Sequence, residues 1–203
     1  MYAIALIPAR YGSERFPGKL MQKLGDGTVI LQTYRATVGT GLFKKVAVVT
    51  DSGDIYREIT GHGGEALMSL QEHLCGSDRI AEAAALFPEA DVIVNVQGDE
   101  PFPPAGPLEA LLNAFNAAEA SALDVVTLMC PIEHEPDFTN PNVVKVVTDR
   151  NGYALLFSRA PIPFSREPGS FHTPCYRHIG IYAFRRQALL RFAALTPGPL
   201  ELS

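Results

Sequence analysis

The chain has 203 residues, 47% of them hydrophobic, and a net charge of -5. That is enough apolar material to bury roughly 70% of the surface an unfolded chain of this size exposes, so one domain spanning 1–203, with at most a small appended lobe, is expected. The acidic balance and the lack of a basic run argue against nucleic acid. The lack of an apolar stretch near the ~18 residues of a membrane span, and a start that runs straight into a strand without a signal-like segment, argue for a cytosolic protein with no membrane partner.

Ala3 to Ile7 is an apolar run that reads as a buried first strand. It leads into LIPARYGSERFPGK, Leu6 to Lys19, where Arg10, Arg15 and Lys19 stand beside Gly12 and Gly18. Glycines let backbone N–H groups approach a polyphosphate, and cationic donors supply hydrogen bonds worth about 1.5–3 kcal/mol each. The loop reads as an anion-binding device, with a solvated basic turn as the plainer alternative. Thr28 is placed to cap a helix over Val29–Thr40, and Lys45–Asp51 is a β-branched strand. A helical pattern over Asp54–Thr60 closes in Gly61, Gly63 and Gly64, and Glu65–Met68 is a short strand. Ser77 is the expected N-cap of a helix over Ser77–Phe87, which Pro88 stops.

Asp91–Val96 is a near-continuous apolar run, the pattern of a central parallel strand covered on both faces. It ends in Gln97-Gly98-Asp99-Glu100-Pro101, after which Leu108–Ala120 reads as a helix and Asp124–Met129 as a strand. This alternation predicts an α/β fold with a mainly parallel sheet and right-handed crossovers. Val143–Thr148 and Tyr153–Phe157 then flank an Asn151-Gly152 turn and predict a β-hairpin. Ala160–Pro174 reads as a long loop or arm, His178–Phe184 as a strand and Gln187–Leu195 as a helix. Cys75, Cys130 and Cys175 are widely spaced with no C-x-x-C pair, which predicts buried free thiols rather than a disulfide framework or structural zinc site.

Gly12 to Lys19 is not a Walker A loop: five residues rather than four separate its glycines, and Leu20 follows the lysine where Ser or Thr is needed. No G-x-G-x-x-G follows a strand, so the dinucleotide fingerprint is absent too. What remains is a phosphate loop after the first strand and Asp99 after a central one. In an open α/β sheet the carboxyl ends of the strands share a crevice, so the two can converge. A hard cation such as Mg2+ bridging Asp99 to phosphate oxygens would account for a carboxylate facing a cationic loop. Asp99 and Glu100 as ordinary turn residues before Pro101 is the alternative.

PARYGSERFPGK, GSDRIAE at Gly76–Glu82, VNVQGDEP at Val94–Pro101, NPNVVKVV at Asn140–Val147, YALLFSRAPIPF and YRHIGIYAF together resemble the CMP-Kdo synthetases, the 3-deoxy-manno-octulosonate (Kdo) cytidylyltransferases. The first and third motifs recur in other sugar cytidylyltransferases, including CMP-sialate synthetases, whereas FSRAPIPF and RHIGIY favour Kdo or a close analogue. The resemblance implies a three-layer nucleotide-diphospho-sugar transferase-like fold, a mixed but mainly parallel sheet, and a hairpin-and-arm insertion over 131–178 for sugar binding or dimerisation. It also implies a cytosolic, Mg2+-dependent homodimer that makes the activated sugar for lipopolysaccharide synthesis. It puts CTP phosphates on Arg10, Arg15 and Lys19, with Pro8, Ala9, Ser13, Arg79 and Gln97 near the nucleotide. Asp99 becomes the Mg2+ ligand, with Arg10, Lys19 and Asp99 as the catalytic group. Arg159, His178 and Tyr182 fall where the family recognises the sugar acid, and a bidentate guanidinium at Arg159 suits its carboxylate.

The family pattern continues with a Leu-Glu-Gln-Leu-Arg helix that helps bind the sugar, and later with an aspartate able to ligate a second metal. This chain reaches only Leu200-Glu201 on the approach to that helix, so its C-terminal end is expected to be truncated. Two other readings stand beside the first: a cytidylyltransferase for another acidic sugar, such as sialic acid or amino-Kdo, and a CTP-binding module impaired in catalysis.

Overall fold

The computed structural model describes residues 1–12, 18–73, 75–117, 122–164 and 174–199. They form two compact units, one comprising Met1–Val126 with Ile181–Ser203 and the other Thr127–Gly180. The expected hairpin-and-arm segment 131–178 falls inside the second, and 165–173 of the expected arm lie outside the described residues.

The first unit begins with β1 (Ala3–Ala9), followed by a 3-10 turn (Lys19–Met21), the short strands β2 (Lys23–Leu24) and β3 (Gly27–Thr28), and α1 (Val29–Gly39). Thr28 caps α1 as predicted, its Oγ1 accepting from the Leu31 N–H at 3.3 Å. β4 (Lys45–Thr50), α2 (Gly53–Gly61), β5 (Ala66–Met68), α3 (Gly76–Ala84), β6 (Val92–Asn95) and α4 (Ala105–Ala114) continue the alternation. α3 and α4 depart from the sequence expectation. The N-cap of α3 is Cys75, without a side-chain cap bond, so Ser77 lies inside the first turn. α4 starts three residues earlier than Leu108, directly after the extended Pro104, and closes at Ala114; the expected last residues, 118–120, lie outside the described residues.

β1 pairs in parallel with β4 on one side and β6 on the other, and β4 pairs in parallel with β5. Ile4, Leu6, Ala47, Val49 and Ile93 share one face with Ile80 and Ala84 of α3 and with Phe184 and Leu189. Ala5, Ile7 and Val48 alternate to the other face, where α1 packs on β1 and β4. Helices on both faces of a parallel sheet make the three layers, and each fully buried Ile or Leu contributes about 1.5–3 kcal/mol of burial.

β7 (Val125–Pro131) enters the second unit, which holds α5 (Glu135–Thr139), β8 (Lys145–Thr148) and β9 (Ala154–Ser158). The predicted hairpin is β8 antiparallel to β9. Its turn is braced by Asp149, whose Oδ1 accepts from the N–H groups of Asn151 at 2.9 Å and Tyr153 at 2.8 Å, while Gly152 takes φ 83°. β10 (Tyr176–Arg185) starts in the second unit, antiparallel to β8, and ends in the first, where Tyr182–Arg185 run antiparallel to β6. α6 (Arg186–Ala193) follows. Among the described residues no helix is long and apolar enough to cross a membrane.

Candidate active site

The chain runs from β1 outward to β4 and β5, then returns to place β6 on the other side of β1. The reversal puts a crevice outside the carboxyl ends of β1 and β6, where ligands of open α/β sheets bind. A cavity of about 410 Å³ lies there, within the ~300–1,000 Å³ range of small-molecule sites. Pro8, Ala9 and Arg10 line it from the end of β1, and Gln97, Gly98 and Asp99 from the end of β6. Lys19 joins them from the 3-10 turn and Arg79 from α3. Seven of the residues singled out in the sequence thus converge, while Ser13 and Arg15 lie outside the described residues.

Backbone geometry aims Lys19. Gly18 adopts φ 71° and ψ 13°, a left-handed conformation that only glycine takes without strain, and its N–H donates to the Tyr11 carbonyl at 3.1 Å. The Lys19 ammonium then reaches Asp99 Oδ2 at 2.7 Å. Gly98 is required for close approach, since a Cβ there would sit 2.9 Å from the Pro8 carbonyl oxygen. Thr33 of α1 holds the Gly98 carbonyl through a buried hydrogen bond of 2.9 Å.

Arg79 is only 3% exposed and donates to Asp51 at 2.6 Å and to Ser69 Oγ at 3.0 Å. The buried guanidinium is therefore held by the more exposed Asp51 carboxylate as well as facing the cavity. His73, Cys75, Leu20 and Gly76 also line the cavity, none of them expected there from the sequence. All three cysteines are free as expected, but only Cys175 is buried: Cys130 is intermediate and Cys75, at the cavity, is exposed. His73 pairs with Glu82 of α3, which also accepts from the Leu70 N–H at 2.7 Å. Burial by itself raises the Glu82 carboxyl, but the Leu70 and His73 bonds outweigh it and leave the group below the usual carboxylate range. The nine-residue spacing from His73 to Glu82 bridges a loop and a helix, so no local pattern marked it.

The residues expected on the sugar side divide between the units. In the second, Arg159 Nη1 donates to the Pro141 carbonyl at 2.9 Å. His178 of β10 packs edge-on against Phe157 at 4.8 Å and lies 2.9 Å from Thr127 Oγ1. Burial holds its imidazole below the ordinary histidine range, favouring the neutral ring at pH 7. Tyr182 belongs to the first unit, beside Phe184, and burial pushes its phenol up. A neutral ring and a protonated phenol are hydrogen-bonding groups suited to hydroxyls.

The cytidylyltransferase family profile matches residues 4–203. Over all 203 residues the chain is 54% identical to the 3-deoxy-manno-octulosonate cytidylyltransferase of Flavobacterium johnsoniae, covering 82% of that protein. It is 50% identical to the protein of the same name from Christiangramia forsetii over 98% of this chain and 79% of that one. The chain belongs to this cytidylyltransferase family. Among solved structures, CMP:2-keto-3-deoxy-manno-octonic acid synthetase complexed with CTP superposes with a TM-score of 0.90 at 34% identity, covering 100% of this chain and 81% of the other. As a cytidylyltransferase, the chain has a nucleotidyltransferase-like fold whose cation-lined crevice is chemically equipped to hold a polyphosphate.

Among the described residues no three His, Cys, Asp or Glu side chains gather to hold a metal. Asp99 nevertheless fits one kind of cation. A half-exposed hard carboxylate at the mouth of a cation-lined cavity would suit Mg2+, which is commonly held by one or two carboxylates with substrate phosphates and waters.

Proposed function

We propose that the protein transfers CMP from CTP to the anomeric hydroxyl of 3-deoxy-D-manno-octulosonate, giving CMP-Kdo and pyrophosphate. The observation that carries this is the cavity at the β1–β6 crevice, where Arg10, Lys19 and Asp99 converge, in a chain with relatives of this name. The C2 hydroxyl oxygen attacks the α-phosphorus of CTP, the bond to the bridging oxygen breaks in line, and pyrophosphate leaves with that electron pair while the hydroxyl proton is released. Hydroxyl, phosphate and sugar carboxylate are all electron-rich, so repulsion must be screened before orientation helps.

Arg10 and Lys19 supply positive charge to the phosphates. Asp99 would hold Mg2+, and the bound ion supplies neutralisation of phosphate oxygens. The direct Lys19–Asp99 pair must open for either partner to engage, at little cost: with side chains 48% and 45% exposed, such a pair is worth about 0–1 kcal/mol. Arg159 would pair with the sugar carboxylate, and neutral His178 and Tyr182 would bond hydroxyls.

In this reading the protein is a cytoplasmic homodimer that supplies lipopolysaccharide synthesis. Its docking face is supported by β9, an edge of the hairpin sheet where Leu155, Leu156 and Phe157 are 69%, 53% and 44% exposed. The deciding assay is pyrophosphate release from CTP and Mg2+ with a panel of 2-keto sugar acids. Turnover fastest with Kdo is the expected result. A preference for sialic acid or amino-Kdo reassigns the substrate, and CTP binding without pyrophosphate release overturns the catalytic reading.

A further inference from the structure

Lys145 of β8 is fully buried, yet its three hydrogen-bond partners are all backbone carbonyls: Asn140 at 2.9 Å, Val143 at 2.7 Å and Arg159 at 2.7 Å. An ammonium has three N–H donors, so these carbonyls saturate it. Removing an ion from water costs several kcal/mol even after relaxation, and no carboxylate stands among these partners to offset it. Apolar packing alone would favour Leu or Met at this place.

What the bonds join explains the choice. Lys145 stands opposite Ser158 in the hairpin register, so its ammonium reaches across to the carbonyl of the next residue, Arg159. Its other two bonds grip the turn at Asn140 and Val143, and between those residues Pro141 accepts from the Arg159 guanidinium at 2.9 Å. One buried ammonium thus holds the backbone of Arg159 and the turn that receives its side chain. The frame brings two cations together with no carboxylate among their described bonds. Burial first, and the Arg159 charge second, hold the Lys145 ammonium below the ordinary lysine range.

We propose that Lys145 is a positioning residue for substrate capture: it fixes the backbone of Arg159 and the turn that holds its guanidinium, so that Arg159 is placed to receive the carboxylate of the sugar acid. This rests on the reading that Arg159 binds that carboxylate.

The test compares wild type, Lys145→Met, Arg159→Ala and the double variant, each checked for folding by circular dichroism and thermal unfolding. The Kd for CTP and the KM and kcat with Kdo are then measured. Lys145→Met is expected to raise the KM for Kdo about 10- to 100-fold, the scale of a displaced positioning group, with CTP affinity unchanged. The double variant should be no worse than Arg159→Ala alone. If Arg159→Ala raises KM and Lys145→Met does not, or if the two losses multiply, Lys145 does not act through Arg159 and the inference falls alone. If Arg159→Ala leaves KM unchanged, the Arg159 reading and the inference fall together. Should Lys145→Met fail to fold, Lys145→Gln, which retains two donors without the charge, is judged by the same criteria.

Discussion

Gly98→Ala tests how the crevice is built. A Cβ at Gly98 would lie 2.9 Å from the Pro8 carbonyl oxygen, 3.2 Å from Ile30 Cδ1 and 3.4 Å from Leu20 Cδ1. Pro8 is in register between strands, facing Val49 of β4, and Ile30 is fully buried in α1, so neither withdraws cheaply. Thr33 meanwhile holds the Gly98 carbonyl from the helix side. The loop must move away from β1, and Asp99 moves with it. Overpacking of this kind costs about 1–3 kcal/mol. At about 2–4 °C per kcal/mol for a chain of this size, the melting temperature should fall by roughly 2–12 °C. CTP affinity should fall as well, about fivefold for each kcal/mol of misplacement. Thermal unfolding and calorimetric CTP titration read both, with Gly106→Ala as control because a Cβ there meets nothing within 4 Å. A Gly98→Ala protein with unchanged melting temperature and CTP affinity would refute the close-approach argument.

Lys19→Ala should lower kcat by about 10²–10³, the scale of removing one transition-state donor, with the melting temperature little changed because the ion pair it loses is half-exposed. Near-normal turnover in the folded variant would remove Lys19 from the mechanism. Asp99→Asn should shift the Mg2+ dependence of the rate to higher concentration, and an identical metal titration would argue against ligation. Acidification should destabilise the fold through His178: its folded-state pKa is depressed by burial, so its stabilising contribution is present above the unfolded value of about 6.5 and lost as pH falls through the folded value. Denaturant unfolding of His178→Phe between pH 7.5 and 5 should show a shallower loss than wild type; an equal slope would mean His178 is not the group responsible. Leu155→Lys with Leu156→Lys should yield monomers by light scattering if β9 forms the dimer face, whereas an intact dimer would move the interface elsewhere.

The elements that sequence reading located best are those whose signals are local. Thr28 ahead of an apolar-periodic stretch, the apolar DVIVNV run and the Asn151-Gly152 turn each act within a few residues, and α1, β6 and the β8–β9 hairpin form where those signals lie. Local signals also misled, since Ser77 is a good cap by type, but α3 begins one residue before it. The cationic loop and Asp99 were legible as separate pieces, and the α/β alternation supplied a reason for them to meet.

Residue chemistry and short-range periodicity were enough to determine the fold class and to mark segments from both sides of the β1–β6 crevice. Tertiary structure decided which groups share it and how each is held. His73 enters through Glu82, Arg79 is spent partly on Asp51 and Ser69, and Gly98 is dictated by a carbonyl ninety residues earlier in the chain. Lys145 shows the reason most plainly: within VVKVV it reads as one polar residue in a strand, and its burial and role come from carbonyls at Asn140, Val143 and Arg159. Backbone carbonyls belong to every residue, so a site made of them leaves no mark on composition or spacing until the chain folds around it.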